Sequence, residues 1–193
     1  CGGNLMTIRQ VKPSADLYGI EYNEKTAQVA SCYGCVQAVD VEKFECVDWY
    51  NKFDYIICGD VLEHLYDPWG TLSKLGKCLN SKGKIIISLP NINHISIITQ
   101  IISGVWNYED AGILDKTHLR FFTLKTAIAM VEQASLLPLE RHAMTVPLNN
   151  DLLEWHERIT KTGLYTMPAE ELLAYQWLII AGKNISNSEK LKH

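Results

Sequence analysis

Apolar residues along this chain fall into two rhythms. Short unbroken runs, rich in β-branched and aromatic residues, occur at LYGIEY (17–22), VQAVDV (36–41), FDYIICG (53–59) and KIIISLP (84–90), and they predict strands. The stretches between them carry the wider spacing of a helix. Residues 5–12 follow a glycine turn, and EKTAQVASC (24–32) opens after Asn23, a good N-cap. TLSKLGKCL (71–79) is apolar at 72, 75 and 79 and stops at Asn80–Gly83. The continuous apolar character of FDYIIC and KIIIS suits strands covered on both faces. Strands and helices alternating at this length predict right-handed βαβ units, hence an α/β fold with a doubly wound, mainly parallel sheet.

Residues 91–122 break the alternation. INHISIITQIISGVW reads as helix, and NYEDAGILDKTHLRFFT is a mixture rich in His, Arg and aromatics. An insertion of this kind after a central strand is expected to act as a lid. Thr123 then caps a helix running to about Ser135, with apolar residues at 124, 127, 128, 131 and 134. Residues 136–146 read as a strand, 151–162 as an amphipathic helix and 174–183 as a last strand. The expected organisation is one domain over 1–184 with a polar tail at 185–193.

Composition excludes more than it selects. A chain of 193 residues is long enough for one core without staples. Its net charge of −4 gives no electrostatic reason to expect nucleic acid. No run approaches the ~20 apolar residues of a membrane span, so no stable membrane insertion is expected. All six cysteines lie within the first 78 residues, several inside apolar runs, as expected of reduced thiols in a cytoplasmic protein. Cys32-Tyr-Gly-Cys35 has CxxC spacing, but no second pair follows, so structural thiols are the simpler reading.

In open parallel sheets, ligands bind beyond the carboxyl ends of the strands. Those ends carry Gly2 and Gly3 at the first turn, Glu21 and Tyr22 after LYGI, Asp40 after VQAV, and Pro90-Asn91 after KIIISL. After FDYIICG comes the polar cluster Asp60, Glu63 and His64. Glu21 stands 19 residues beyond Gly2, close to the ~20-residue offset at which a carboxylate accepts hydrogen bonds from a ribose diol. The set favours a nucleoside cofactor, although CGGN lacks the third glycine of the dinucleotide fingerprint.

The order CGG…LYGIEYN…VDVE…FDYIICGDVLEHLYDPWGTLSKLGKCLNSKGKIIISLPN resembles the class I, Rossmann-like S-adenosylmethionine-dependent methyltransferases. DAGILDKTHLRFFT resembles a bacterial small-molecule branch of them, some joined to glycosyltransferases of cell-surface polysaccharides. The likeness covers about residues 1–136. It implies a seven-stranded sheet with an antiparallel last strand, and S-adenosylmethionine as cofactor. By position it implies Gly2 and Gly3 at the methionine and ribose end, and Glu21 on the ribose hydroxyls with Tyr22 beside the adenine. It implies Asp40 on the adenine amino group and Val41 behind the ring. Gly59, Asp60, Val61 and Leu62 would line the cofactor, with His64 facing the substrate. The family also places a central strand and an acidic residue ahead of the first glycine, whereas the sequence here opens at that turn.

A sulfonium methyl is already electrophilic, so the protein mainly aligns donor and acceptor and excludes water. A hydroxyl acceptor also needs its proton removed, a task suited to imidazole with its ordinary pKa near ~6.5. His64 is the first catalytic candidate and His118 the second. For His64 the plainer alternative is a helix-start residue bonded to backbone; for His118 it is a loop fixed by an Asp115–Arg120 pair. Adjacent Glu63 and His64, with Asp60, would diverge on a helix, so no metal site is expected. The reading is methyl transfer to a small molecule, at a hydroxyl of a sugar, phenol or lipid-linked acceptor. A non-catalytic methyltransferase-like module and, less favoured, a nicotinamide-dependent oxidoreductase stand as alternatives.

Overall fold

A computed structural model describes residues 3–163 and 165–183. Gly2 and the polar tail at 185–193 therefore lie outside the described residues. The chain divides into two compact units, Cys1–Cys46 and Val47–His193.

The first unit holds helix α1 (Gly3–Val11), strand β1 (Tyr18–Glu21), helix α2 (Glu24–Ala30) and strand β2 (Cys35–Ala38). β1 and β2 pair in parallel, from Tyr18 opposite Cys35 to Glu21 opposite Ala38. Asn23 caps α2 as its sequence predicts, its Oδ1 accepting from Thr26 N at 3.1 Å. The Arg9 guanidinium donates to the carbonyls of Tyr33 (2.8 Å), Pro13 (2.6 Å) and Ala15 (2.9 Å), tying α1 to both loops beside it. Gly34 is needed at the start of β2. A Cβ there would sit 2.5 Å from the Leu17 carbonyl oxygen, which accepts from Cys35 N at 2.8 Å.

The second unit holds strand β3 (Phe53–Gly59), helix α3 (Pro68–Cys78), strand β4 (Leu79–Pro90), helices α4 (Ile95–Ile102) and α5 (Leu124–Gln133), strand β5 (Leu136–Thr145), helix α6 (Asn150–Lys161) and strand β6 (Ala174–Lys183). Its sheet has the order β3-β4-β6-β5. β3 runs parallel to β4, and β6 is antiparallel to both its neighbours, as expected of the last strand. Asp67 caps α3, accepting from Gly70 N at 2.9 Å, and Pro68 takes the first turn, where it costs no hydrogen bond. Thr123 and Thr126 close a reciprocal capping box on α5.

Ile85, Ile87 and Leu89 of β4 and Trp177, Ile179 and Ala181 of β6 are buried with Leu72 and Leu75 of α3 and Met130 and Val131 of α5. Each large aliphatic side chain so buried contributes about 1.5–3 kcal/mol. This core fixes where β3, β4 and β6 end.

Three features depart from the sequence reading. The expected turn at 80–83 is absorbed into β4, whose register against β3 jumps between Phe53/Leu79 and Tyr55/Lys84. β3 is not covered on both faces, since Tyr55 is 64% and Ile57 41% exposed. The implied seven strands appear, among the described residues, as six in two sheets, a parallel pair and the mixed four.

Candidate functional site

At the carboxyl end of β3 the chain turns sharply. Asp60 adopts a left-handed backbone, φ 53°, held by side chains of two other strands. Ser88 Oγ of β4 donates to Asp60 Oδ1 at 2.9 Å, and Gln176 Nε2 of β6 donates to the same oxygen. Gln176 Nε2 also lies 2.5 Å from Ser88 Oγ. Leu62–His64 then form one 3₁₀ turn, which anchors Leu62 in the core and folds the Glu63 side chain inward.

Glu63 is only 1% exposed, and among the described residues neither carboxylate oxygen has a hydrogen-bond partner. Burial, with the charge of Asp60 adding to it, pushes its pKa up to about 7. The same burial, together with Glu63, pushes the Cys58 thiol up to about 12. The Glu63 carbonyl receives the N–H groups of Leu119 (2.8 Å) and Arg120 (3.0 Å), which docks the DKTHLR segment beside the 3₁₀ turn.

That docking brings His118 to His64. Their rings meet edge to face with centroids 4.8 Å apart. His118 Nδ1 lies 2.9 Å from the Ile113 carbonyl, and His64 Nδ1 lies 3.2 Å from the Thr117 carbonyl and 3.2 Å from Thr117 Oγ1. Thr117 Oγ1 gives its own proton to Asp115 Oδ1 at 2.6 Å. Every neighbour of the two Nδ1 atoms is therefore an acceptor, which assigns the ring protons to Nδ1 and leaves Nε2 with its lone pair. The Thr117 hydroxyl and N–H hold the Asp115 carboxyl below the usual carboxylate range. Arg120 turns away, donating to the Tyr66 carbonyl, so the Asp115–Arg120 pair weighed as the alternative to a catalytic His118 is replaced by these two separate anchors.

Asp60, Glu63, His64, Asp115, His118, Tyr175 and Gln176 line a cavity of about 270 Å³ with Pro90 and Gly112. Gly112 has φ 95°, and a Cβ on it would stand 2.7 Å from the Tyr175 hydroxyl, so glycine keeps that wall open. One ligand atom from each of Glu63, His64 and His118 lies within 4.8 Å of the others.

The remaining sequence candidates are placed as follows. Gly3 opens α1, and nothing lies within 4 Å of where its Cβ would stand. Glu21 ends β1 and its Oε1 accepts from Asn23 N at 3.1 Å, while Tyr22 is 79% exposed. Asp40 follows β2, accepts from Glu42 N at 2.9 Å and pairs with Lys43 at 3.6 Å, with half-buried Val41 next to it. Gly59 closes β3, Val61 precedes the 3₁₀ turn, and the Leu62 side chain belongs to the core. Ser88, Asp115, Tyr175 and Gln176 were not singled out in the sequence. A polar Gln176 inside the apolar strand AYQWLIIAG was the one signal that pointed to any of them.

The family described as "Methyltransferase domain" matches residues 2–172. The chain is 23% identical over 143 residues to a ubiquinone biosynthesis O-methyltransferase of Aeromonas salmonicida, covering 71% of this chain and 60% of that relative's length. In fold it is similar to a SAM-dependent methyltransferase from Archaeoglobus fulgidus, with a TM-score of 0.64, 16% identity, and 94% and 82% of the two chains covered. It is also similar to the Burkholderia thailandensis 1,6-didemethyltoxoflavin-N1-methyltransferase, solved with bound 1,6-didemethyltoxoflavin and S-adenosylhomocysteine (TM-score 0.55, 14% identity, 92% and 65% covered). Among the described residues no helix is long and apolar enough to cross a membrane. With a family match running through nearly all of the chain and a Rossmann-like fold beneath it, this protein belongs to the S-adenosylmethionine-dependent methyltransferase domain family.

Proposed function

We propose that this chain transfers the methyl group of S-adenosylmethionine to a hydroxyl of a small molecule, with His64 or His118 taking the acceptor proton. The observation that carries the reading is the pair of imidazoles, each with Nδ1 on a main-chain carbonyl and Nε2 left as a base, at the cavity beyond β3. Attack of the acceptor oxygen on the methyl carbon forms a C–O bond as the S–C bond breaks, and the proton passes to the imidazole. The O-methyltransferase relative supports an oxygen acceptor, whereas the toxoflavin neighbour acts on nitrogen, so the acceptor atom rests on the base geometry.

In this reading Gly2, Gly3, Glu21, Tyr22, Asp40 and Val41 bind the nucleoside and methionine parts of the cofactor, and Gly59–Leu62 line it through the turn after β3. Residues 91–122 form the lid, the two units make one catalytic domain, and the protein works in the cytoplasm. The family match running across both units supports the single domain.

Calorimetric titration with S-adenosylmethionine and S-adenosylhomocysteine, with NADH as control, tests the cofactor. A labelled-methyl assay over sugars, phenols and amines then tests the acceptor. Saturable binding of the first two alone, with label transferred to hydroxyls, is expected. Cofactor binding without transfer to any acceptor would favour a non-catalytic module, and NADH binding alone would overturn the reading.

A further inference from the structure

We propose that Glu63, His64 and His118 form a binding site for a first-row divalent transition-metal cation such as Zn²⁺ or Co²⁺. This goes beyond the methyl-transfer reading, because cation binding is measured without cofactor or acceptor.

Three potential metal donors stand together here. The Glu63 carboxylate is buried and neither oxygen is hydrogen-bonded among the described residues, an expensive state for a carboxylate. Its neighbours are two imidazoles whose Nδ1 protons are spent on the carbonyls of Thr117 and Ile113. A backbone carbonyl behind Nδ1 is the arrangement that orients a ligating histidine and raises the basicity of its Nε2. One ligand atom from each residue lies within 4.8 Å of the others, so small side-chain rotations bring all three to a common ion.

None of the residues lining the cavity is Lys or Arg, and Asp60 and Asp115 add further negative charge. Arg120 is engaged with the Tyr66 carbonyl, and Lys116 with Asp110 at 2.6 Å. On an α-helix these neighbours would diverge, which is why the sequence predicts no metal there. Glu63 and His64 instead share a tight 3₁₀ turn, and the third donor arrives from the docked segment after Asp115.

The donor set names the cation class. Two imidazoles and one carboxylate suit Zn²⁺, Co²⁺ or Fe²⁺, whereas Mg²⁺ and Ca²⁺ prefer all-oxygen shells. Three protein ligands leave a coordination position toward the cavity. With an ion bound, both Nε2 lone pairs would be committed to it, so the imidazole base of the proposed function belongs to the metal-free chain.

The test uses the full chain without an affinity tag, stripped with a chelator and titrated with Co²⁺ and then Zn²⁺. The expected result is one saturable site per chain, visible Co²⁺ ligand-field bands, displacement of Co²⁺ by Zn²⁺, and little competition from Mg²⁺. Glu63→Gln and His118→Asn should each weaken Co²⁺ binding by about 10–100-fold while circular dichroism stays native. Cys32→Ser/Cys35→Ser should leave the affinity unchanged, because those exposed thiols are not part of the site. No saturable binding to the wild type would overturn the proposal. So would Co²⁺ binding lost in the cysteine variant but kept in both Glu63→Gln and His118→Asn. If one variant fails to fold, the other and His64→Ala decide on the same criterion.

Discussion

His118 rests edge to face on His64 because the carbonyl of Glu63, the residue before His64, captures the N–H groups of Leu119 and Arg120. The rings are thus set by main-chain hydrogen bonds rather than by their own contact. If either imidazole accepts the acceptor's proton, His64→Asn or His118→Asn should lower kcat by about 10²–10⁴. The dissociation constant for S-adenosylmethionine should stay within about threefold, since neither ring is assigned to the cofactor. Steady-state kinetics with calorimetry checks both, and unchanged kcat in both variants would remove the base.

Gln176 and Ser88 hold Asp60 in the left-handed region that few non-glycine residues adopt. Gln176→Leu leaves the Asp60 carboxylate with the Ser88 hydroxyl alone. A hydrogen bond to a charged group is worth about 1.5–3 kcal/mol, so if Asp60 lines the cofactor as proposed, affinity for S-adenosylmethionine should fall by about tenfold or more. Affinity equal to wild type would detach Asp60 from the cofactor.

Much of this was legible along the chain. Hydrophobic rhythm located the six strands of the described residues, and Asn23 and Thr123 marked helix starts that the structure caps through those same side chains. These signals are local, set by a few consecutive residues. The Glu63–His64–His118 cluster depends instead on backbone hydrogen bonds between distant segments, which no periodicity encodes. Gln176 reaches Asp60 only because β6 lies antiparallel beside β4, a pairing visible once the sheet is assembled. The turn at 80–83 looked polar and therefore loop-like, yet Leu79 pairs with Phe53 and draws it into the strand.

The buried carboxylate of Glu63 carries a stability cost. Its raised pKa means the folded chain holds a proton that the unfolded chain has released between about pH 4.5 and 7, so its contribution to stability falls as pH rises through that window. Glu63→Gln in chelated protein should therefore stabilise the fold at pH 8 by about 2 kcal/mol, with a smaller gain at pH 5. Denaturant unfolding at both values measures this. An equal gain at both would show that the carboxylate is not desolvated as described.

Asn91 is fully buried and its Nδ2 bridges the carbonyls of Glu171 (2.8 Å) and Ala174 (2.7 Å), fastening the end of β4 to the start of β6. Its Oδ1 accepts from Asn93 N at 3.1 Å. Asn91→Ala would leave two buried carbonyls without that donor, at a cost of about 3 kcal/mol. Asn91→Asp should cost at least as much, because a carboxylate oxygen would face those carbonyls. Urea unfolding of both variants checks the order, and a loss below about 1 kcal/mol in each would mean that the bridge adds little.

His94 makes the opposite pH argument to Glu63. It caps α4, its Nδ1 accepting from Ser96 N at 3.3 Å, and its ring stacks edge to face on Tyr175 with centroids 5.3 Å apart. Burial lowers its pKa to about 4, from an ordinary value of 6.5. Between those values the unfolded chain takes up a proton that the folded chain refuses. The stability held above pH 6.5 is therefore lost as pH falls toward 4, by up to about 3 kcal/mol. His94→Asn keeps a helix-capping side chain but cannot titrate. The variant should be less stable than wild type at pH 7.5, and the difference should shrink or reverse by pH 5. Unfolding free energies that fall in parallel for the two proteins would assign the acid sensitivity to other groups.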